Sequence, residues 1–210
     1  MGLSRALARQ LAEPTGLIGT LCGAAMDIAN RVPLQLAVDL LAPVDGETIL
    51  DAGCGTGAAS EAMLRRAACH VIGIDQSATM IRHAGRRVAG AIANGSVECH
   101  VARLEQLPCP AGSIDAVLAL NILYFCDADG SMIASLRRAL RPGGRLVAYV
   151  THRQSMENWA FTREGYHRLY DETALAVMLA HGGFDPADIT IDTRPVAPGI
   201  VGLLARAIAA

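Results

Sequence analysis

Residues 47–58 read ETILDAGCGTGA, a short apolar run holding Asp51 that opens into three alternating glycines, Gly53, Gly55 and Gly57. Glycines placed directly after a buried strand and at the start of a helix let the backbone turn tightly and let a ligand approach the main chain. Read as G-x-G-x-x-G/A, with Ala58 last, the loop suits the pyrophosphate of a dinucleotide. Read as D-x-G-x-G-x-G, it suits something else. A tight turn without a ligand is the plain alternative.

The 210 residues fit one domain, long enough to bury a core without staples. A formal charge of −2 and a pI near 6.3 leave no electrostatic footprint for nucleic acid or an anionic membrane. The six cysteines (Cys22, Cys54, Cys69, Cys99, Cys109, Cys126) include no C-x-x-C pair, so no metal site is expected. Scattered cysteines of this kind suit a reducing, cytoplasmic setting. The N-terminal MGLSRALARQ lacks the apolar core of a secretory signal. The run Gly16–Ala29 is broken by Asp27 and falls short of the ~20 residues of a spanning helix, so no integral membrane association is expected.

The first forty residues read as helices: SRALARQLA, LIGTLCGAAMDIANR, and Pro33–Leu41 with its proline near the first turn. From Thr48 the pattern becomes strands TILDA, HVIGID, VECHVA, SIDAVLAL and RLVAYV, alternating with helical stretches. Those stretches are Ala58–Ala68, Ser77–Val88 with Ser77 as N-cap, and Ser131–Leu140 closed by Arg141-Pro-Gly-Gly144. Such alternation implies right-handed crossovers and a parallel sheet covered on both faces. After a helix at Glu172–Ala180, DITIDTRPV and GIVGLLARAIA are joined only by Ala197-Pro198-Gly199. That connection is too short for a parallel crossover, so the last two strands pair antiparallel. The expected fold is α/β, a doubly wound, mostly parallel seven-stranded sheet with a C-terminal antiparallel hairpin, in a single domain over 1–210.

Asp75 ends the second strand 20 residues past the loop, where a ribose hydroxyl needs an acceptor. Every nucleotide reading wants an acid there. Asp51 separates them: its carboxylate repels a pyrophosphate and attracts an ammonium group. A ligand with adenosine at one end and an amino acid at the other fits the pair. With ILDAGCGTG, VIGIDQSATMI, RLEQLP, DAVLALNILYF, LRPGGRLV, the Gly182-Gly-Phe184 helix end and the closing hairpin in this order, the chain resembles the class I S-adenosylmethionine-dependent methyltransferases. The resemblance runs from about Thr48 to the C-terminus.

The resemblance implies S-adenosylmethionine as cofactor, S-adenosylhomocysteine as product, and a Rossmann-like methyltransferase core over 47–210. Asp51 and the loop residues Gly53, Cys54, Gly55 and Gly57 are expected to face the methionine part of the cofactor. Asp75 is expected to accept from the ribose, with Gln76 and Met80 near adenine, Ala102, Arg103 and Leu104 along its edge, and the Leu120 backbone by the amino group. Arg103 departs from the family, which often has an acid there that accepts from the adenine amino group; arginine has no acceptor. A cyclase-like protein on the same fold and an NAD(P)-dependent reductase remain as alternatives.

Methyl transfer needs alignment and a site closed to water, and a base only when the acceptor must lose a proton. Candidate bases at the sheet's carboxyl edge are His152 and Tyr124, against readings as a solvated loop residue and as pocket wall. Trp159, Phe161 and Tyr166 are expected either to line the acceptor pocket or to pack locally, and His181 to complement a helix C-terminus. The N-terminal helices, 1–42, are expected to form a lid over the acceptor site rather than a membrane-surface segment. Asn121-Ile-Leu-Tyr124 lacks the Asn/Asp-Pro-Pro-aromatic signature of relatives that methylate base amino groups. The expected acceptor is a small, fairly apolar molecule, with no nucleic-acid partner, and the protein a monomer or homodimer.

Overall fold

The computed structural model describes residues 23, 25–164 and 167–210; the first helix expected from the sequence, about half of the second, and Tyr166 lie outside them. Among the described residues seven strands form a sheet ordered β3-β2-β1-β4-β5-β7-β6. They are β1 (Thr48–Ala52), β2 (His70–Asp75), β3 (Val97–Val101), β4 (Ile114–Leu120), β5 (Leu140–Thr151), β6 (Ile189–Ala197) and β7 (Ile200–Ile208). The first five pair in parallel; β7 lies antiparallel between β5 and β6, as the short Ala197-Pro198-Gly199 connection requires. Gly199, at φ +71°, makes the reversal that an L side chain resists.

Because β1 lies between β2 and β4, the crossovers leave its two sides in opposite directions and open a crevice at the strands' carboxyl ends. Alternate residues of β1 feed two cores: Leu50 and Ala52 join one face, Ile49 the other. On the first face pack α5 (Ser131–Ala139) and α7 (Glu172–His181), through Ile133, Leu136, Leu175 and Leu179. On the second pack α1 (Arg31–Leu41) and α2 (Ala58–Leu64), through Val38, Leu41 and Met63. Between β2 and β3 run α3 (Ala78–Arg87) and α4 (Ala89–Ala93). Ser77 caps α3, its hydroxyl accepting from Met80 N, as its sequence position predicts.

The third N-terminal helix is a core element through Ala37, Val38 and Leu41, while its first turn reaches the crevice. Ala37 and Leu41 are fully buried, and Arg145 of β5 donates to Leu41 O at 2.6 Å while pairing with both carboxylate oxygens of Glu47 at 2.6 and 2.7 Å. This fork holds the Glu47 carboxyl below its usual pKa range. Among the described residues the crevice is lined from the N-terminal side by Gly23, Met26, Asp27 and Asn30 and by Leu34 of this helix.

Two boundaries differ from the sequence expectation. The helix from Ala58 stops at Leu64, short of Ala68, whose N–H turns to the Asp45 carboxylate at 2.7 Å. Arg141-Pro-Gly-Gly144 leads β5 instead of forming a separate turn: Gly143 N donates to Ala209 O at 2.7 Å and Ala209 N to Gly144 O at 2.8 Å. Pairing with the chain's far end, which local sequence does not show, draws this stretch into the sheet.

Candidate functional site

The glycine loop sits at the crevice with all three glycines left-handed: φ is +72° at Gly53, +52° at Gly55 and +79° at Gly57. Two of them are also forced by packing, since a Cβ would lie 2.9 Å from Ile122 at Gly53 and 3.0 Å from the Ala84 backbone at Gly57. At Gly55 the nearest atom would be 4.0 Å away. That open space belongs to the ligand side.

Four of the loop's N–H groups are engaged within the protein. Gly53 and Cys54 both donate to Ile74 O at 2.8 and 2.9 Å, Gly57 to Cys54 O at 2.8 Å, and Gly55 to Asp75 Oδ2 at 3.0 Å. A pyrophosphate needs such donors unspent, so the arrangement argues against a dinucleotide. Asp75 spans the loop and the next helix, its other oxygen accepting from Ser77 N at 2.7 Å. Asp51 is fully buried, and its Oδ2 accepts from Ser60 Oγ at 2.6 Å. Burial pushes its pKa up to about 6; the Ser60 hydrogen bonds oppose that, and the Asp75 charge adds to it.

Around these groups lies a chamber of about 270 Å³. It is lined by Asp51, Gly53, Cys54, Gly55, Asp75, Gln76, Met80, Ala102, Arg103, Leu104 and Leu120, every residue the sequence assigned to the cofactor except Gly57. Gly57 packs against α3 instead. Arg103 leans outward, its side chain 66% exposed, and pairs with Glu105 at 3.4 Å. Glu105, in the 3-10 turn Leu104–Gln106, itself lines the chamber, so an acid stands near the position where Arg103 cannot accept.

A second chamber of about 180 Å³ adjoins the first, and both are lined by Met26, Asn30, Asn121 and Phe125. Its walls include Tyr149, Met156, Trp159 and Phe161, which puts these two loop aromatics at a cavity rather than in local packing alone. At the junction a hydrogen-bonded chain runs from the N-terminal segment into the sheet. Asn121 Nδ2 donates to Asn30 Oδ1 at 2.9 Å, Tyr124 Oη donates to Asn121 Oδ1 at 3.0 Å, and Thr151 N donates to Tyr124 Oη. Asn121 holds φ +56°, a conformation that short polar side chains tolerate.

Neither candidate base is placed as one. The Tyr124 hydroxyl is spent in that chain, and burial pushes its pKa up, so it serves as wall and bracket. His152 lines neither chamber; it caps α6 (Arg153–Met156) by accepting from Gln154 N at 3.0 Å, and its Nε2 lies 3.3 Å from Glu172. His181 lies in the last turn of α7, as expected of a charge complement. Sequence reasoning missed Asp27, Asn30, Glu105 and Asn121 in the first chamber and His167 in the second. Among the described residues no cluster of three His, Cys, Asp or Glu is arranged to hold a metal ion, and no helix is long and apolar enough to cross a membrane.

Residues 50–148 match a family profile described as "Methyltransferase domain". A ubiquinone biosynthesis O-methyltransferase of Hahella chejuensis is 36% identical over 116 residues, covering 54% of this chain and 48% of that one. A tRNA U34 carboxymethyltransferase of Shewanella sediminis is 36% identical over 109 residues, 51% of this chain and 32% of that one. The matches thus take in between a third and a half of these relatives' lengths. In fold the chain is similar to the geranyl diphosphate C-methyltransferase of Streptomyces coelicolor A3(2), solved with Mg2+, geranyl diphosphate and S-adenosyl-L-homocysteine. That likeness has a TM-score of 0.71 at 16% identity and covers 86% of this chain and 77% of that one.

Proposed function

We propose that this chain, which carries a class I S-adenosylmethionine-dependent methyltransferase domain, moves the methyl group of S-adenosylmethionine onto a small, largely apolar molecule. The observation that carries the reading is the pair of adjoining chambers, one edged by acids and glycines, the other walled by aromatics. The first fits the cofactor. A buried carboxylate whose pKa is raised to about 6 is matched by an ammonium group, and the open space over Gly55 admits a ligand against the backbone. Asp75 edges the same chamber, and a carboxylate, with about four lone-pair sites, is the kind of acceptor that ribose hydroxyls need. Met80, Gln76 and Ala102–Leu104 offer a slot for adenine, with Glu105 as acceptor for its amino group. The Leu120 backbone lies on the amino-acid side.

Bound there, the cofactor supplies an electrophilic methyl group on a sulfonium. The chain's own work is to align the acceptor and keep water out, with Met26, Asn30 and Phe125 lining both chambers where they meet. The second chamber's size and apolar walls favour a small molecule over a base presented by a polynucleotide. The free thiols at Cys54, Cys69, Cys99, Cys109 and Cys126 suit a reducing, cytoplasmic setting.

Calorimetry and labelled methyl transfer test the reading. S-adenosylhomocysteine should bind and NAD(P) should not, and Asp75→Ala should weaken binding by about 1.5–3 kcal/mol, the scale of a charged hydrogen bond. Label should pass from the cofactor to small apolar acceptors and not to tRNA. Cofactor binding with no methyl moved to any acceptor would point to the cyclase-like alternative; label in tRNA alone would overturn the small-molecule reading.

A further inference from the structure

Gly202 lies inside β7, paired with Thr151 of β5 and Arg194 of β6, and its φ is not in the left-handed range. Backbone conformation therefore does not require a glycine there. A glycine within a strand weakens the strand and often marks a close approach. Here the approach is that of the Tyr149 ring: a Cβ at Gly202 would lie 2.3 Å from Tyr149 Cε2, 2.7 Å from its Oη and 2.8 Å from its Cζ. The register explains the contact. Tyr149 pairs with Leu204, so Gly202 is its diagonal neighbour on the same face, toward the carboxyl end of β5.

Tyr149 also walls the second chamber, together with Thr151 of its own strand and with Val196 and Ile200 of the closing hairpin. Yet the residue is only 1% exposed. Its ring is folded down over bare backbone rather than standing in the cavity. A side chain at position 202 would not let it stay there, because atoms do not approach to 2.3 Å unless something moves. Leu204 and the fully buried Ala37 and Leu41 of α1 belong to the same packed core, which leaves little there to yield. The chamber is the empty space beside the ring.

We propose that Gly202 is the size-determining residue of the acceptor chamber: by giving the Tyr149 ring a place against β7, it leaves room for an uncharged acceptor larger than a single aromatic ring. The proposal rests on the reading of the second chamber as the acceptor's. The absence of charge on the acceptor follows from the walls. No Asp, Glu, Lys or Arg is among the described residues lining the chamber, so an ionised group would enter without a counter-charge. Phe125, Trp159 and Phe161 offer apolar ring surface instead. Any larger residue at position 202 would tip the Tyr149 ring into that room and restrict the chamber to single-ring molecules. Neither Gly202 nor Tyr149 lines the first chamber, so cofactor affinity is unaffected.

The test measures 2-naphthalenemethanol and benzyl alcohol, uncharged probes of two rings and one, binding to the full chain in the presence of S-adenosylhomocysteine. Calorimetry gives the affinities, and quenching of Trp159, the single tryptophan and itself a wall of the chamber, places the probes. Gly202→Ala should bind S-adenosylhomocysteine like the parent and hold benzyl alcohol within about threefold, but bind 2-naphthalenemethanol about tenfold more weakly or worse, the scale of overfilling a packed site. Adding Tyr149→Leu to that variant should recover the two-ring probe to within about threefold of the parent, because the displaced ring is gone. Tyr149→Leu alone should gain about tenfold for the three-ring 9-phenanthrenemethanol, and this arm decides should Gly202→Ala not fold. Equal weakening of both probes by Gly202→Ala, weakening of neither, a loss that Tyr149→Leu does not relieve, or no gain for the three-ring probe overturns the proposal. A parent that binds S-adenosylhomocysteine but neither of the smaller probes would instead strike the acceptor-chamber reading and this proposal with it.

Discussion

Thr56 Oγ1 donates to Asp27 Oδ1 at 2.6 Å, tying the N-terminal segment to the glycine loop; Arg87 closes the group from α3, at 2.6 Å from Asp27 Oδ2 and 3.1 Å from Thr56 Oγ1. Residues 25–29 are helical, and both Asp27 and Asn30 line the first chamber. The N-terminal segment is thus fastened to the loop that edges the crevice. Because the Asp27 and Arg87 side chains are 26% and 31% exposed, solvent screens the pair, and Asp27→Ala should cost only about 0.5–1 kcal/mol in a urea melt. Its larger effect should be local. Hydrogen exchange over residues 25–30 should quicken, and the slowing produced by S-adenosylhomocysteine in the parent should shrink. Identical exchange in parent and variant would mean that Asp27 does not fasten the segment.

The glycine loop makes two different demands that one pair of variants separates. Both Gly55 and Gly57 are left-handed, so an alanine costs about 1–2 kcal/mol at either. At Gly57 the new Cβ would also press to 3.0 Å on the Ala84 backbone, whereas at Gly55 it would project into open space. Gly57→Ala should therefore lose clearly more stability, while Gly55→Val should stay folded by circular dichroism and fail to bind S-adenosylhomocysteine. Normal binding by Gly55→Val would show the loop to be only a turn.

Much of this was legible in the sequence because it is local. The apolar run, Asp51, the alternating glycines and Asp75 lie within 28 consecutive residues, from 48 to 75, and each position is fixed by its own strand or turn. What was hidden depends on pieces brought together by folding. Asn30 meets Asn121 across 91 residues. His167 sits in an irregular stretch with no periodicity, and its place in the second chamber follows only from which aromatics surround it. The α1 helix looked like part of a lid because its partners, Arg145 and the sheet face, are about a hundred residues away.

Glu105 was missed for a smaller reason: the expected acid was sought at Arg103, two residues before it, across a 3-10 turn. If its carboxylate accepts from the adenine amino group, Glu105→Gln should weaken S-adenosylhomocysteine binding by about 1–2 kcal/mol, less than a fully buried charged hydrogen bond because Arg103 already competes for it. The analogue with hypoxanthine in place of adenine presents a carbonyl there. It should bind the parent poorly and Glu105→Gln better, since the amide can donate. No change in the ratio of the two ligands would remove Glu105 from the base.

Asp51 sets the pH dependence. In the ligand-free fold burial raises its carboxyl to about 6, against 3.8 for a freely solvated aspartate. Below both values native and unfolded chains are equally protonated. As pH rises between them the unfolded chain loses its proton first, so this residue's contribution falls through pH 4–6 and then levels off. The difference of about two pKa units corresponds to roughly 3 kcal/mol. Asp51→Asn should consequently stabilise the ligand-free protein more at pH 7.5 than at pH 4.5. Binding should show the opposite demand. An ammonium group beside Asp51 favours the ionised form and draws its pKa down, so binding below about pH 6 must expel a proton. Of the groups facing it, Cys54 and Cys99 have thiol pKa values raised by burial, so they stay neutral there, and Asp75 repels the charge. Affinity for S-adenosylhomocysteine should be nearly level from pH 7 to 7.5 and fall by up to about tenfold per unit below pH 6, with proton release seen by calorimetry in buffers of different ionisation enthalpy. Asp51→Asn should bind more weakly and lose this slope. A variant that is weaker but keeps the parent's pH profile would assign the titration to another group and separate Asp51 from the ammonium.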